Sequence, residues 1–519
     1  MKYRQLNRNS FLQKLNEAKT WDFIIIGGGA SGLGVAVDAS SRGYSVLLLE
    51  QSDFAKATSS RSTKLIHGGV RYLANGNIRL VYEALHERGV LRRNAPHLVK
   101  EQAFIIPCYR RLQKLKYLAG MKIYDLMAGK LGIGRSSSLT REQVVKSLPK
   151  IKTDGLIGGV QYFDAQFDDA RLAINLAQTA AEFGAVVLNY FRVDGLVKRD
   201  GKVGGVEATD VLNQKQYILE GKVVINATGV FADRVLAFDQ PQQRAWIRPS
   251  QGVHLVIDRS FLDSEQAILI PKTSDNRVLF IIPWQDHVVV GTTDTPVAQA
   301  LMEPVALEGE IDFILETASQ YLTKAPGRND VLSVFAGLRP LAASSKKSTK
   351  EISRSHKIII SESKLLTVTG GKWTTYRKMA EDVVDKAIEL AHFNNAECKT
   401  KEIPVHGYKV KPESVFGSDE EKINELVEQD PSLVKLLHEQ FSYKEADVVW
   451  AVRNEMAVTI EDILARRIRL LFLDARAAIQ VAPRVAALMA KELNHDEKWI
   501  ETQIKEFTQL AKAYLVKSS

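Results

Sequence analysis

Apolar positions come in with helical spacing at the start of the chain, where Phe11, Leu12, Leu15 and Ala18 alternate with Lys14, Glu17 and Lys19. This predicts a short amphipathic leader helix inside residues 1–20. Next, Trp21 to Ile26 reads as a buried strand, Leu33 to Arg42 as a helix stopped by Gly43, and Tyr44 to Leu49 as a second strand. A strand, a crossover helix and a strand of this kind predict parallel pairing.

Helical periodicity returns over Ile78 to Asn94 and ends before Pro96; Thr140 with Gln143 makes a capping box for a helix up to Leu148. Asp168 caps a further helix through Leu172, Leu176 and Ala180 to Gly184. Ala185 to Leu188 and Val223 to Asn226 add strands to the first sheet, and Asp200-Gly201 predicts a hairpin between them. From Gly252 to Thr293 the pattern changes to short β-rich runs, which implies a second, largely antiparallel sheet. Val331 to Phe335, Lys357 to Ile360 and Leu365 to Thr369 continue the strands, and a long helix starts near Gly371. After about residue 400 no strand is expected. Glu420 to Glu428, Ile460 to Phe472 and Ala477 to Leu493 predict a separate helical domain.

Composition narrows the class of protein. A chain of 519 residues, 45% hydrophobic and 25% charged, is an ordinary globular protein long enough for two or three domains. Seventy Lys and Arg against 61 Asp and Glu give +9, which favours phosphorylated substrates, lipid headgroups or nucleic acid. The basic residues form no stripe interleaved with aromatics, so nucleic acid is not expected. Two distant cysteines, Cys108 and Cys398, suggest neither a disulfide framework nor a metal site, and a cytoplasmic protein is expected. No signal peptide and no run of about 18 apolar residues is found, so any membrane contact is expected to be peripheral.

The first strand runs into Gly27, Gly28, Gly29, Ala30, Ser31 and Gly32. A pyrophosphate needs backbone N–H donors at close range; glycines allow that approach, and the following helix offers its positive end. Glu50, closing the second strand, suits the hydroxyls of a ribose. The turn alone leaves NAD and FAD open. No second such fingerprint follows, Gly132-Ile133-Gly134 being the nearest.

Four blocks carry a resemblance. They are the stretch from Ala57 to Tyr72 (ATSSRSTKLIHGGVRY), Asn226 to Gly229, Gly337 to Leu341, and Thr369 to Arg377. In this order they resemble the FAD-dependent glycerol-3-phosphate dehydrogenases, of the aerobic, quinone-linked type. The resemblance implies an α/β fold: a discontinuous Rossmann-like FAD-binding domain (21–75, 150–235 and 355–395), an antiparallel β-sheet substrate domain (76–149 and 236–354) and a C-terminal all-helical domain (400–519). It implies that Gly27 to Gly32 and Glu50 hold the ADP half of FAD, and that Thr58, Ser59, Ser60, Thr63 and Lys64 run along the flavin. Ala227, Thr228 and Gly229 back the cofactor, with Gly370, Gly371, Lys372, Trp373 and Thr374 beside the ring. Trp373 departs from the Leu more usual there. A helix N-terminus with Lys372 suits the negative charge of a reduced flavin.

Oxidising an alcohol needs a base and a hydride acceptor, and His67 and His254 are both candidates for the base. Arg71, Arg339 and Arg354, with Tyr72 beside them, are expected to clamp a phosphate dianion. The basic run Ser344 to Lys350 is either a lid or a surface loop. The expected reaction takes sn-glycerol 3-phosphate to dihydroxyacetone phosphate and passes electrons to a quinone. The alternatives are an oxidase releasing peroxide or an FAD-dependent amine or amino-acid oxidase. Tyr109 to Arg135, basic and apolar together, is either a contact with an anionic membrane at the inner face of the cell membrane or a helix packed on the core. The C-terminal helices are open to several roles, a homodimer interface among them.

Overall fold

The computed structural model describes residues 6–74, 76–242, 245–275, 277–342 and 356–517. The crossover predicted at the start is present: strand Trp21–Ile26, helix Ala30–Ser41 and strand Val46–Leu49. The two strands pair in parallel, Phe23 facing Val46 and Ile26 facing Leu49. Both are buried along their whole apolar length, as a sheet covered on two faces requires. Parallel neighbours Lys215–Asn226, Leu366–Thr369 and Val186–Leu188 extend the sheet, with Lys357–Ile360 antiparallel at one edge. The hairpin at Asp200-Gly201 joins Phe191–Arg199 to Lys202–Asp210. Helices Ala30–Ser41, Asp169–Glu182 and Tyr376–Ala391 share a hydrophobic core with this sheet.

The second sheet has ten strands and is mostly antiparallel, with one parallel contact between Ala267–Ile270 and Val99–Cys108. Its centre holds two strands that the hydrophobic pattern did not mark, Val99–Cys108 and Gly158–Phe167, paired over ten residues. Polar Gln102, Asp164 and Gln166 interrupt their alternation and are accommodated only by partners elsewhere in the fold. Gly158–Phe167 therefore belongs to this sheet, although it falls in the stretch assigned to the FAD-binding domain.

Beyond residue 400 helices dominate, with Glu420–Gln429, Glu445–Asn454, Ala475–Leu493 and Glu497–Lys512. One correction is a two-stranded hairpin, Leu436–His438 with Phe441–Lys444. Strands of three and four residues carry too short a period to be read from sequence. A second is that Ile460 to Phe472 is no regular helix: a π-helical segment, Asp462–Arg467, is followed by the short helix Leu470–Leu473.

Candidate active site

The glycine turn is shaped by what it must touch. A Cβ on Gly32 would lie 1.9 Å from the Gly27 carbonyl oxygen, and one on Gly27, whose φ is +111°, would lie 2.8 Å from the Ala227 carbonyl oxygen. Only glycine allows strand, turn and helix to close this tightly. Gly29 caps helix Ala30–Ser41 without a side chain, leaving the positive end of the helix open to an anion. Glu50 accepts the Gly28 amide at 2.7 Å and the Ser52 amide at 2.9 Å. Burial pushes its carboxyl above the usual range, and those two amides oppose the shift.

Around this turn lies a cavity of about 530 Å³. Gly27, Gly29, Ala30, Ser31, Glu50, Thr58, Ser59, Ala227, Thr228, Gly229, Gly370, Gly371, Lys372 and Trp373 all line it. The Asn226 carboxamide oxygen accepts from the Thr228 hydroxyl at 2.7 Å and so sets the turn at Ala227 to Gly229. Trp373 donates its indole N–H to the Ser59 carbonyl at 2.8 Å, and the Ser59 hydroxyl accepts the Ala30 amide at 2.9 Å. The departure from Leu at 373 thus ties the two ends of the cavity together.

Other predicted residues sit behind these. Gly28 and Gly32 shape the turn from outside the cavity lining, and Ser60 is buried. Lys64 also lies away from both cavities. Its ammonium donates to Asp169 and to the Ser60 carbonyl, each at 2.7 Å, with the rings of Trp284, Phe335 and Phe472 within 5.1 to 5.5 Å. Burial, with Arg469 adding, holds Lys64 down at about 7 against the pull of Asp169. Sequence reading missed Val193 and Asp194, which reach the cavity from the hairpin, and Arg234 from the helix Ala232–Asp239. Only the path of the chain brings them there.

A second cavity, about 210 Å³, shares Thr58, Pro340, Gly370, Gly371, Lys372 and Trp373 with the first. His67, Tyr72, Thr63, His254, Arg339 and Thr374 line it, together with Arg61, which lies in the matched stretch Ala57 to Tyr72 but was not singled out there. Its described lining holds Arg61, Arg339 and Lys372 and no carboxylate, while behind it Arg61 is paired with Glu303 and Arg339 lies 3.5 Å from Asp294. Arg339 is aimed by acceptors on its neighbours: the carbonyls of Gln251 and Thr293 at 3.1 and 3.0 Å and the Thr292 hydroxyl at 3.2 Å. The Lys372 ammonium lies 3.9 Å from the centroid of the Tyr72 ring. His254 is buried, shares a 2.9 Å hydrogen bond between Nε2 and the Thr63 hydroxyl, and stacks on Phe335. Burial, with Lys64 and Arg339 adding, drives its imidazole well below the usual range, so it stays neutral. The backbone of Arg71 lies in the helix Val70–Ala74, its side chain lies outside the description, and Arg354 with the run Ser344 to Lys350 lies outside the described residues.

A dinucleotide-sized cleft at the carboxyl ends of parallel strands, meeting a small cation-lined pocket on a second sheet, defines a flavin-dependent oxidoreductase of the two-sheet type. A family model described as FAD dependent oxidoreductase matches residues 22–377, and one described as C-terminal domain of alpha-glycerophosphate oxidase matches residues 411–500. The chain belongs to the family of FAD-dependent glycerol-3-phosphate dehydrogenases, and its cofactor is FAD. It is 37% identical to the mitochondrial glycerol-3-phosphate dehydrogenase of Macaca fascicularis, over 96% of this chain and 74% of that one. The probable mitochondrial glycerol-3-phosphate dehydrogenase of Dictyostelium discoideum is 37% identical over 97% of this chain and 86% of its own. The solved glycerol-3-phosphate dehydrogenase of Bacillus halodurans, complexed with FAD, has a TM-score of 0.78 and 28% identity, covering 98% of both chains.

Proposed function

We propose that this chain oxidises sn-glycerol 3-phosphate to dihydroxyacetone phosphate on FAD and passes the electrons to a membrane quinone. The observation that carries the reading is the small pocket lined by Arg61, Arg339 and Lys372, which opens onto the Gly370 to Trp373 wall of the FAD cavity. A phosphate dianion is held by planar guanidinium donors, with lysine adding a point charge. Arg339 and Lys372 take that role here, with Tyr72, and with Arg71 and Arg354 completing the clamp.

When bound, FAD supplies the hydride acceptor. The protein supplies position and a place for the proton. His67 faces the pocket and is half-buried, so it takes the hydroxyl proton. His254 stays neutral behind Thr63 and orients that hydroxyl on the pocket wall. Gly27 to Ser31 and Glu50 hold the pyrophosphate and ribose, and the Ala227 to Gly229 turn backs the cofactor.

The electron route draws support from helix Arg111–Ala128. Leu112, Leu115, Ile123 and Leu126 are 83%, 65%, 52% and 81% exposed, while Met121, Tyr124 and Ala128 are buried. At about 100° per residue the exposed four fall on one side, opposite the buried three. Arg111, Lys116 and Lys122 flank the apolar stripe, an arrangement suited to an anionic bilayer. Among the described residues no helix is long and apolar enough to cross a membrane. We place the protein peripherally at the inner face of the cell membrane.

Anaerobic addition of glycerol 3-phosphate to the yellow holoenzyme is expected to bleach the flavin, and a quinone analogue to restore the colour. A flavin that stays oxidised removes the substrate assignment. Rapid reoxidation by air with stoichiometric peroxide, and none by quinone, removes the acceptor.

A further inference from the structure

The loop that brings His67 and Tyr72 to the anion pocket is held from below by a side chain that lines neither cavity. Tyr124, on the inner face of helix Arg111–Ala128, is 1% exposed. Its phenolic oxygen accepts the Gly68 amide at 2.8 Å, and its hydroxyl donates to the Asp164 carboxylate at 2.9 Å. Asp164 is paired with Arg88 at 2.6 Å, both side chains being 2% exposed, and accepts from the Gly68 amide only at 3.4 Å. A Cβ on Gly68 would lie 2.6 Å from the Tyr124 oxygen and 2.6 Å from a Leu85 methyl, so the two close contacts together disfavour any side chain here. The preceding amide, on His67, donates to the Thr374 hydroxyl at 3.2 Å. Consecutive amides of one turn are thus anchored to two different elements, one a wall of the pocket and the other the surface helix.

We infer that Tyr124 is a positioning residue: by holding the Gly68 amide against the Asp164–Arg88 pair, it fixes the turn from which His67 reaches the substrate hydroxyl. The inference rests on the reading of His67 as proton acceptor. Its physical basis is that reaction geometry tolerates little error, a misplacement of about 1 Å lowering the rate by roughly a hundredfold. Buried hydrogen bonds of the kind that join Gly68, Tyr124 and Asp164 also rigidify what they hold. Tyr124 touches neither substrate nor cofactor, so its removal should alter the rate of the chemical step more than affinity. It also makes the helix with the exposed apolar stripe continuous, through one hydroxyl, with the loop that carries the chemistry.

The test compares wild type with Tyr124→Phe as FAD-loaded enzymes. It measures the anaerobic rate of flavin reduction against glycerol 3-phosphate concentration, FAD content, and amide exchange of the peptide spanning Leu65 to Tyr72. Tyr124→Phe is expected to keep its FAD and, within about twofold, its half-saturating concentration. Its limiting reduction rate should fall roughly tenfold or more, and exchange in that peptide should quicken. A full reduction rate in the FAD-loaded variant overturns the inference, as does a loss that appears only in the half-saturating concentration. If Tyr124→Phe does not fold, Asp164→Asn weakens the same anchor from its other side, at the cost of the Arg88 ion pair, with FAD content reporting whether the variant has folded. A wild-type reduction rate there overturns the inference equally. His67→Asn, run alongside, separates the two readings. Full activity in it removes His67 as the proton acceptor, whereas an inactive His67→Asn beside a fully active Tyr124→Phe removes only the positioning role.

Discussion

At the scale of single residues, Arg339 shows how a charge in a pocket wall is aimed by its neighbours. Its guanidinium is oriented by the Gln251 carbonyl of the adjacent strand, by Thr292 and Thr293 of the turn between two strands, and by the Asp294 carboxylate at 3.5 Å. Replacing it with Met removes a charge-assisted contact of about 2 to 5 kcal/mol. The expected outcome is a half-saturating glycerol 3-phosphate concentration raised at least about thirtyfold, with FAD still bound, checked by anaerobic flavin reduction. His97 gives a second prediction. It is 1% exposed, its Nε2 lies 3.2 Å from the Asn175 side-chain oxygen, and burial, with His406 and Arg171 adding, lowers it to about 4. Below about pH 6.5 the unfolded chain takes a proton that the folded chain refuses until about pH 4, so stability falls as pH falls through this window. Urea melts should lose about 2 kcal/mol between pH 7 and pH 5 from this group. His97→Gln should flatten that part of the profile. Glu50, the glycines and both histidines of the pocket were legible as residue types in sequence. Val193 and Asp194 were not, because no local pattern distinguishes a side chain that faces a cavity from one that faces solvent.

At the scale of elements, legibility followed periodicity and punctuation. Helix Ile78–Asn94 has the predicted ends, and the capping box at Thr140 and Gln143 makes both of its hydrogen bonds, at 2.8 and 3.3 Å. Strands Val99–Cys108 and Gly158–Phe167 escaped because polar residues break their alternation, and Tyr124, Gln102 and Arg88 become intelligible only once those strands are paired. Helix Arg111–Ala128 was legible as amphipathic, yet only the fold identifies the face left uncovered. Replacing Leu112 and Leu126 together by Ser removes two of its four exposed large apolar side chains. At roughly 1.5 to 3 kcal/mol per buried leucine, binding to vesicles containing anionic lipid is expected to weaken about a hundredfold or more in co-sedimentation. Turnover with a water-soluble electron acceptor should be unchanged. Equal binding by the double variant would remove this helix from the membrane contact.

At the scale of the whole molecule, the C-terminal domain is joined to the cofactor domain by buried charge. Asp53, three residues beyond Glu50, accepts from Arg466 at 2.5 Å and from Arg467 at 2.7 Å, with all three side chains at most 1% exposed. The two arginines hold the Asp53 carboxyl far below the usual carboxylate range against the cost of burial. Arg469 donates to Asp169 at 3.0 Å and to the Ser60 carbonyl at 2.9 Å, reaching the loop that borders the FAD cavity. Breaking a buried pair leaves an uncompensated charge and costs about 3 to 5 kcal/mol. Arg467→Met is therefore expected to lower the thermal midpoint of the holoenzyme by several degrees, with FAD released in the same transition. Calorimetry followed through flavin fluorescence checks both. By itself the sequence determined the parallel crossover, the glycine turn and the family, because close packing around a nucleotide restricts residue types at fixed local spacing. Tertiary structure alone decided that residues 61, 67, 254, 339 and 372 line one small pocket, that Lys64 faces Asp169, and that Tyr124 hydrogen-bonds Gly68. Those contacts join positions tens to hundreds of residues apart, where local spacing carries no information and only strand pairing and burial bring the groups together.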